Sequence, residues 1–350
     1  MRVVNHVVGA AIGLLIVSGC SSNDSGPSGA AGAETGGDNA STAGSSAAGN
    51  AGTTAGTAGS SGGNPGNGGT GGEPSSAGHG GVGGANAAGA SNAGSGGLSG
   101  SAGGASTHRF SIKFDYRFDT AGFFTSDKRV ALEAAGAVWS NLIHNDFPTL
   151  PKGTGIRLKN PENRDEDVWV NSIEEDIDDL IVFVGTSDAI PGLGRGGPSG
   201  TTQTDDTALA AALVIRRDGP KFEPWAGSIS FKPSSNFFFD QTPATADDIP
   251  VEAFDFTTTA AHELGHVLGF NNGTKAFTDL TSGSAFIGPT AQALYGGPVP
   301  LMSDLGHFQD HLQSDGGDVL MDPGISNGIR VLPSHLDRAV FIDIGYQIAN

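Results

Sequence analysis

The strongest chemical signal in the sequence is a pair of histidines with a glutamate beside one of them. His262 and His266 are four positions apart, and Glu263 follows the first, in a segment of otherwise small and apolar residues. On an α-helix, positions four apart lie one turn above each other, so both imidazoles can reach one ion. Neutral imidazole at this spacing suits zinc, whereas Glu263, about 100° further round the helix, can reach a water at the metal but is poorly placed as a ligand. The pattern predicts a zinc site in which the ligands and the proton acceptor are different residues.

The segment 262–270 resembles the active-site helix of the metzincin zinc peptidases, in which a glycine turns the chain beneath the metal. Further along, Val319–Pro323 resembles the Met-turn of that clan, whose methionine, here Met321, forms a hydrophobic floor under the metal. The order of the predicted strands before the helix is similar to that of the matrixin catalytic domain. No glutamate follows Glu263, which argues against the gluzincin branch. The resemblance implies a metzincin-like zincin domain with zinc as cofactor and hydrolysis of peptide bonds as its reaction.

The sequence departs from matrixins and astacins at the third metal ligand. Those families carry a histidine three residues after the glycine, where this chain has Asn272, and an amide oxygen is a poor exchange for imidazole at zinc. In the leishmanolysin branch an insertion separates the glycine from a distant third histidine, and 305–308 resembles that ligand segment. The resemblance therefore favours His307 as the third ligand, with His311 as the alternative. Further alternatives also stay open: Asp304, His335, or no third protein ligand.

The mechanism that the resemblance implies depends on Glu263. Three histidines would leave a fourth zinc position open for water, and Glu263 is expected to take a proton from that water and pass it to the leaving amine. Tyr295 and Tyr346 are candidates for a second electrophile, although packing roles are commoner for tyrosine. An extended peptide substrate is expected along an edge strand at about Ala208–Ile215. The alternative, raised by Asn272, is a catalytically inactive metzincin-like adhesion or binding module.

Hydrophobic periodicity predicts an α+β domain over residues 108–350. The predicted elements are a strand with one buried face at Phe110–Phe118, a helix from Ser126 to about Ile143, an interior strand at Leu180–Val184, a flexible surface loop at Gly192–Gly200, strands at Ala208–Ile215 and Gly227–Phe231, the zinc helix at Asp255–Phe270, and a last helix, capped by Ser334 and Asp337, that runs to about Ile344. We expect a twisted mixed sheet of about five strands with the active-site helix in residues 108–270. Residues 271–350 are expected to form an irregular C-terminal subdomain that ends in a helix.

The first 107 residues are predicted to be an export signal and a tether. Arg2, a short apolar stretch and a small-residue ending at Cys20 indicate a signal peptide over 1–20, and residues 17–20 resemble a bacterial lipobox, in which the cysteine is lipidated. Residues 21–107 are rich in Gly, Ser and Ala and lack Phe, Trp and Tyr, so we expect them to be disordered. The chain is therefore predicted to be a lipoprotein of the cell envelope, at the outer membrane or the cell surface.

Charge and cysteine content exclude several classes of partner and site. The formal net charge of −19 makes nucleic acid an unlikely partner, and the single cysteine excludes both an intrachain disulfide and a thiolate zinc cage. The expected partners are protein or peptide substrates and a membrane reached through the lipid anchor, with the protein a monomer. Two acidic runs, 165–167 and 176–179, could ligate calcium, but they lack EF-hand spacing and solvated loops are favoured.

Overall fold

The computed structural model of the chain describes residues 21–22 and 109–349. The predicted signal peptide with Cys20, and the predicted tether apart from residues 21–22, lie outside the described residues and stay predictions. Within the described ranges, no helix is both long enough and apolar enough to cross a bilayer.

The described residues form an α+β fold, as predicted. The helices are α1 (Ser126–Leu142), α2 (Thr207–Asp218), α3 (Phe256–Val267), α4 (Lys275–Thr278), α5 (Pro289–Tyr295) and α6 (His335–Asp343). The strands are β1 (Ser21–Ser22), β2 (Ile112–Phe118), β3 (Gly155–Asn160), β4 (Asn163–Val170), β5 (Leu180–Thr186), β6 (Gly194–Pro198), β7 (Thr201–Gln203), β8 (Ala226–Phe231), β9 (Phe237–Phe238), β10 (Phe254–Asp255), β11 (Thr281–Ser282), β12 (Ala285–Phe286), β13 (Val299–Pro300), β14 (Gln313–Ser314), β15 (Gly317–Asp318) and β16 (Gly324–Ile325).

A four-stranded mixed sheet organises the fold, in the order β2-β5-β8-β6. β2, β5 and β8 are parallel, and β6 pairs antiparallel with β8 at one edge. The predicted interior strand is confirmed in β5, which is buried on both faces because its alternate side chains enter two cores. Leu180 and Val182 contact the core shared with α1 and α3, whereas Ile181 and Phe183 contact a second core beneath the antiparallel sheet β4-β3-β7.

The helix predicted at Asp255–Phe270 is confirmed as α3, with its partner α1 on the same face of the sheet. α1 begins at the predicted Ser126, and the indole Nε1 of Trp139 in α1 donates a hydrogen bond of 2.8 Å to the carbonyl oxygen of Ala261 in α3. Both groups are buried, so the bond joins the two helices where a water cannot replace it.

The predicted strand at Ala208–Ile215 is wrong, because this segment is the helix α2. The carboxylate of Asp206 accepts hydrogen bonds from the backbone N–H groups of Ala208 and Leu209, which is the arrangement of an N-cap. The alanine-rich sequence that follows has high helix propensity, and only Leu213 and Arg216 of α2 are buried. A short apolar run without clear alternation fits either element, and here the cap decides.

The flexible loop predicted at Gly192–Gly200 is also wrong, because its middle forms the edge strand β6. β6 pairs with β8 from Gly194, opposite Phe231, to Pro198, opposite Gly227. The glycines that suggested flexibility instead allow β6 to lie directly against the backbone of α3.

Candidate metal centre

Helix α3 carries two of the predicted ligands and is buried along its whole length. The carboxylate of Asp255 accepts a hydrogen bond of 3.0 Å from the backbone N–H of Thr258 and bonds of 2.8 and 2.9 Å from the guanidinium of Arg330. Arg330 also donates a bond of 2.7 Å to the buried Asp240. Because a buried charge is tolerated only when it is paired, this network holds the N-terminus of α3 in one position.

The C-terminal turn after α3 positions one of the imidazoles. Gly269 has a φ of +115°, a conformation that L side chains rarely adopt. The N–H groups of Gly269 and Phe270 donate to the carbonyl oxygens of His266 and Gly265 at 3.2 and 3.1 Å, the paired bonds of a Schellman motif. This turn places the carbonyl oxygen of Phe270 2.8 Å from Nδ1 of His266. The helix end therefore determines how this ring is oriented.

Three imidazoles converge at the centre of the site: those of His262, His266 and His307. The Nε2 atoms of His262 and His266 are 3.0 Å apart, and those of His266 and His307 are 3.2 Å apart. A tetrahedral zinc with Zn–N distances of about 2.05 Å requires ligand nitrogens about 3.3 Å apart. The donor type and spacing therefore fit a zinc ion. The donors are the two histidines predicted on one helix and His307, which follows His266 by 41 residues.

The other nitrogen of each ring is used for orientation. Nδ1 of His262 donates a hydrogen bond of 2.7 Å to the carbonyl oxygen of Leu320. Nδ1 of His307 donates one of 2.9 Å to the carboxylate of Asp304. Nδ1 of His266 donates in the same way to the carbonyl oxygen of Phe270, which follows α3. With all three Nδ1 atoms acting as donors, the lone pairs of the three Nε2 atoms face one another, which is the tautomer that a metal needs.

Burial keeps two of these rings neutral. Desolvation, followed by repulsion from His307, lowers the pKa of His266 from 6.5 to about 3. Desolvation, and then the neighbouring His266 and His307, lower the pKa of His262 well below its ordinary value. Neutral rings are the form that binds a metal, so no proton has to be removed from either ring at neutral pH.

The metal-free protein is expected to lose stability as the pH falls below about 6.5. Unfolded histidine binds a proton near pH 6.5, whereas His266 in the folded state does so only near pH 3, so the unfolded chain binds more protons between these values. The free energy of unfolding should fall by about 1.4 kcal/mol per pH unit for each such ring. Urea unfolding of the chelator-treated protein at several pH values measures this slope. A His266→Gln variant should have a smaller slope; a slope equal to that of the wild type would contradict the assignment.

The structure separates His307 from His311. His307 is fully buried, and its backbone is held by bonds from Met302 N–H to its carbonyl oxygen and from Phe308 N–H to Met321, both of 3.0 Å. His311 has a φ of +62° and its side chain is 73% exposed. The segment between them is not helical, so the spacing of four does not bring both rings to one face.

Asn272 and Asp304 support the third ring from outside the cluster. Nδ2 of Asn272 donates a hydrogen bond of 2.7 Å to the carbonyl oxygen of Asp304. The carboxylate of Asp304 accepts hydrogen bonds from Nδ1 of His307 and from the backbone N–H of Gly306. The residue that replaces the matrixin histidine therefore contacts the segment that delivers His307. Asp304, an open alternative for the third ligand, instead orients His307.

Replacing Asp304 by alanine is expected to weaken zinc binding by about 10–100-fold, because the loss of an outer hydrogen bond frees the tautomer and orientation of the ligand ring. Competition with a zinc chelator of known affinity measures the change. Asp310, which is close in the chain and exposed, provides the control in Asp310→Ala. Equal affinities of the two variants would contradict the role of Asp304.

Met321 packs directly against α3. A Cβ added at Gly265 would overlap Sδ of Met321, so the glycine allows the thioether to pack between the two histidine turns. The buried carboxylate of Asp337 accepts hydrogen bonds from the N–H groups of Leu320 and Met321 at 2.9 and 3.0 Å. Asp337 also completes the predicted capping box of α6 with Ser334, which is confirmed. The last helix therefore holds the segment whose carbonyl orients His262.

Glu263 lies under the edge strand β6 and is fully buried. A Cβ at Gly194 would lie 2.6 Å from its Oε1, and a Cβ at Gly196 would overlap its backbone carbonyl. The guanidinium groups of Arg164 and Arg195 are near enough for their charges to interact with its carboxylate.

The remaining predicted site residues lie elsewhere. His335 is exposed and pairs with Asp315, and Tyr295 is 43% exposed. Tyr346 is buried and donates 2.8 Å to the carbonyl oxygen of Leu268, which is a packing role. Its pKa is raised well above the ordinary value, first by burial.

The acidic runs considered for calcium differ in their contacts. Asp167 in the first run forms ion pairs with Arg157 and Lys159. In the second, Asp179 and Asp178 lie with Asp146 in a group whose carboxylates are within 4.8 Å of one another. The two oxygens of Asp179 accept backbone N–H bonds from 111 and 147, each of 2.8 Å, so this carboxylate already has a structural role.

Sequence reasoning missed the supporting residues of the centre. Asp304 stands three positions before His307, a spacing that could have suggested a partner for its ring. The contribution of Asp337 had no such signal, because it acts on the backbone of a segment 16 and 17 residues away.

No family model matches this chain, and no curated protein matches it either.

Proposed function

We propose that this protein is a zinc-dependent endopeptidase, exported as a lipoprotein and anchored through Cys20 at the cell envelope. The observation that carries the proposal is the convergence of three imidazoles: two lie on α3, the helix that also presents Glu263, and the third is that of His307. The resemblance of this helix to that of metzincins supplies the reaction class, and the lipobox-like residues 17–20 supply the location.

Zinc is the ion that the donors favour. Three imidazoles without a thiolate are typical of catalytic zinc sites, which keep a fourth position open. When bound, zinc supplies a Lewis acid for a carbonyl group and lowers the pKa of water to about 7. Met321 and Asp337 hold the floor of the site, so the three rings need no rearrangement to receive the ion.

Glu263 is the residue that moves protons. Its carboxylate is one position from His262 on the same helix, interacts with two guanidinium groups and is kept from bulk water by β6. In peptide hydrolysis it would accept the proton of the attacking water and deliver it to the nitrogen of the leaving amine. A single carboxylate can perform both proton transfers, because the attacking water and the leaving nitrogen are reached from the same side of the scissile bond.

The peptide substrate is proposed to lie along β6, since the segment first predicted for this role is the helix α2. Among the described residues β6 pairs only with β8, so its other edge has backbone groups that an added extended chain can use. Gly194 and Gly196 bring one face of β6 against Glu263. A bound peptide would therefore pass close to the proton acceptor.

One observation favours the second candidate, an inactive metzincin-like binding or adhesion module. Glu263, His262 and His307 are fully buried and His266 is only 5% exposed, so a substrate would need β6 or a neighbouring segment to move. A metal bound in so closed a site could act only to stabilise the fold.

Zinc content and peptide cleavage together distinguish the two functions. The proposal expects one zinc per full-length chain, cleavage of unfolded casein, loss of cleavage after chelation and recovery when zinc is returned. One bound zinc without cleavage would favour the binding module. A chain that binds no zinc would contradict the peptidase and leave the binding module.

A further inference from the structure

A cavity of about 320 Å³ lies beside β6 and the turn that connects it to β7. Its walls come from the β3–β4 hairpin, from β6 with the turn after it, and from residues 271–274, which follow α3. The metzincin resemblance would place the pocket for the first primed side chain among residues around the helix α3 and the segment after Met321. Residues 271–274 of the cavity wall follow α3, whereas the segment after Met321 contributes no wall. The cavity has room for one side chain rather than a large cofactor.

The walls of this cavity are cationic although the chain has a net charge of −19. Four of the lining side chains are basic and one is acidic: Arg157, Lys159, Arg164 and Arg217 against Asp167. Arg157 and Lys159 share Asp167 at 2.6 and 3.1 Å, and Arg217 pairs with Asp218. The cationic excess therefore lies along Lys159 and Arg164, and a low-dielectric cleft focuses its field on whatever enters.

Arg164 gives independent reason to expect an anion. It is 7% exposed, and only its Nη1 has acceptors in the described part of the chain, the carbonyl oxygen and Oγ of Ser228. Its Nε has none, and its Nη2 lies 3.7 Å from the position of a Cβ on Gly197 in the cavity wall. Burial, and then repulsion from Arg195, lower its pKa to about 10, while the charge of Glu263 acts in the opposite direction. Glu263 interacts with Arg164 through its charge, but Nε of Arg164 is buried without an acceptor among the described residues and Nη2 lies at the cavity wall, so an anion in the cavity can accept hydrogen bonds from this guanidinium.

The cavity and the metal centre share structural elements. Asn271 in the cavity wall donates 2.9 Å to the carbonyl oxygen of His266, and Asn272 donates to Asp304, which orients His307. Gly196 in the same wall packs on Glu263. A peptide extended along β6 advances about 3.3 Å per residue, so a side chain within a few residues of the scissile bond reaches the cavity.

We propose that this cavity binds the carboxylate of an aspartate or glutamate side chain in the peptide substrate, so that the enzyme prefers acidic peptides. The inference rests on the proposed peptidase function. Arg164 and Lys159 would hold the carboxylate, and Asp167 would compete with it for Lys159.

Matched peptides test this preference with the zinc-loaded full-length protein. Each pair carries Asp or Asn, or Glu or Gln, at one position near the cleavage point, and kcat/KM is measured for both members. At one position the acidic peptide should be cleaved at least about tenfold faster, which corresponds to one charge-assisted contact of about 1.4 kcal/mol. Raising the salt concentration should reduce this ratio, because part of the cavity is open to solvent.

Two substitutions of exposed residues should change the ratio in opposite directions, and a third serves as the control. Lys159→Gln should lower the preference for the acidic peptide and Asp167→Asn should raise it, since it removes the competing carboxylate. Lys113→Gln, on β2 at the opposite edge of the sheet, should leave it unchanged. All three side chains are about a third exposed or more, so folding should be retained.

Two results would overturn the inference in distinguishable ways. Equal cleavage of the acidic and amide peptides, or a ratio that Lys159→Gln and Asp167→Asn do not change, removes the acidic preference but leaves the peptidase intact. Failure of the zinc-loaded protein to cleave any peptide removes both this inference and the proposed function.

Discussion

Replacing Glu263 by glutamine is expected to reduce kcat/KM for peptide cleavage by about 10²–10⁴-fold, the usual contribution of a positioned proton acceptor. Glutamine has nearly the same shape, so it fits between α3 and Gly194, where Oε1 of Glu263 now lies. It cannot accept the proton of the attacking water. Because the three imidazoles are untouched, zinc stoichiometry should remain that of the wild type. Hydrolysis of a fluorogenic peptide and metal analysis of the same sample measure both quantities.

The matched control for this variant is Glu252→Gln, which changes an exposed glutamate before α3 and should leave the rate unchanged. Full activity of Glu263→Gln would remove the proton-transfer role. Loss of zinc from that variant would instead indicate that Glu263 stabilises the metal centre, and would leave its chemistry unassigned.

Replacing His307 by alanine is expected to lower zinc affinity by more than about 100-fold, which exceeds the effect of losing an outer hydrogen bond. Its Nε2 lies 3.2 Å from that of His266, so the variant loses one of three converging donors. His311→Ala should keep wild-type affinity, because its side chain is 73% exposed. Chelator competition with the two purified variants compares them directly.

The pair of variants also checks the architecture of the site. If His311→Ala loses zinc and His307→Ala keeps it, the segment between α5 and Met321 adopts a different arrangement with metal than the one described. If both variants keep zinc, the two histidines of α3 bind it with another donor, and Asp304, whose carboxylate contacts His307, is the first residue to examine.

Local sequence patterns were sufficient to predict those elements whose structure depends on contacts between nearby residues. The alternation and the apolar run that became β2 and β5, the Ser334–Asp337 capping box and the zinc helix all depend on contacts within a few residues, and each was predicted with nearly its observed bounds. The same patterns failed at α2 and β6. An Ala-rich run is ambiguous without its cap, and a Gly-rich segment looks flexible until a neighbouring helix makes a strand of it.

The sequence by itself determined the chemistry available to this protein: two imidazoles one helical turn apart, a carboxylate beside them, and no thiolate in residues 109–349. It also limited the third donor to a few residues. Only the tertiary structure decided among them, because the choice depends on long-range contacts that no spacing encodes. Asp304 and the segment of Met321 hold His307 inward, whereas a positive φ turns His311 to solvent. The cationic cavity likewise exists only because β3, β4 and β6 bring separated basic residues to one wall.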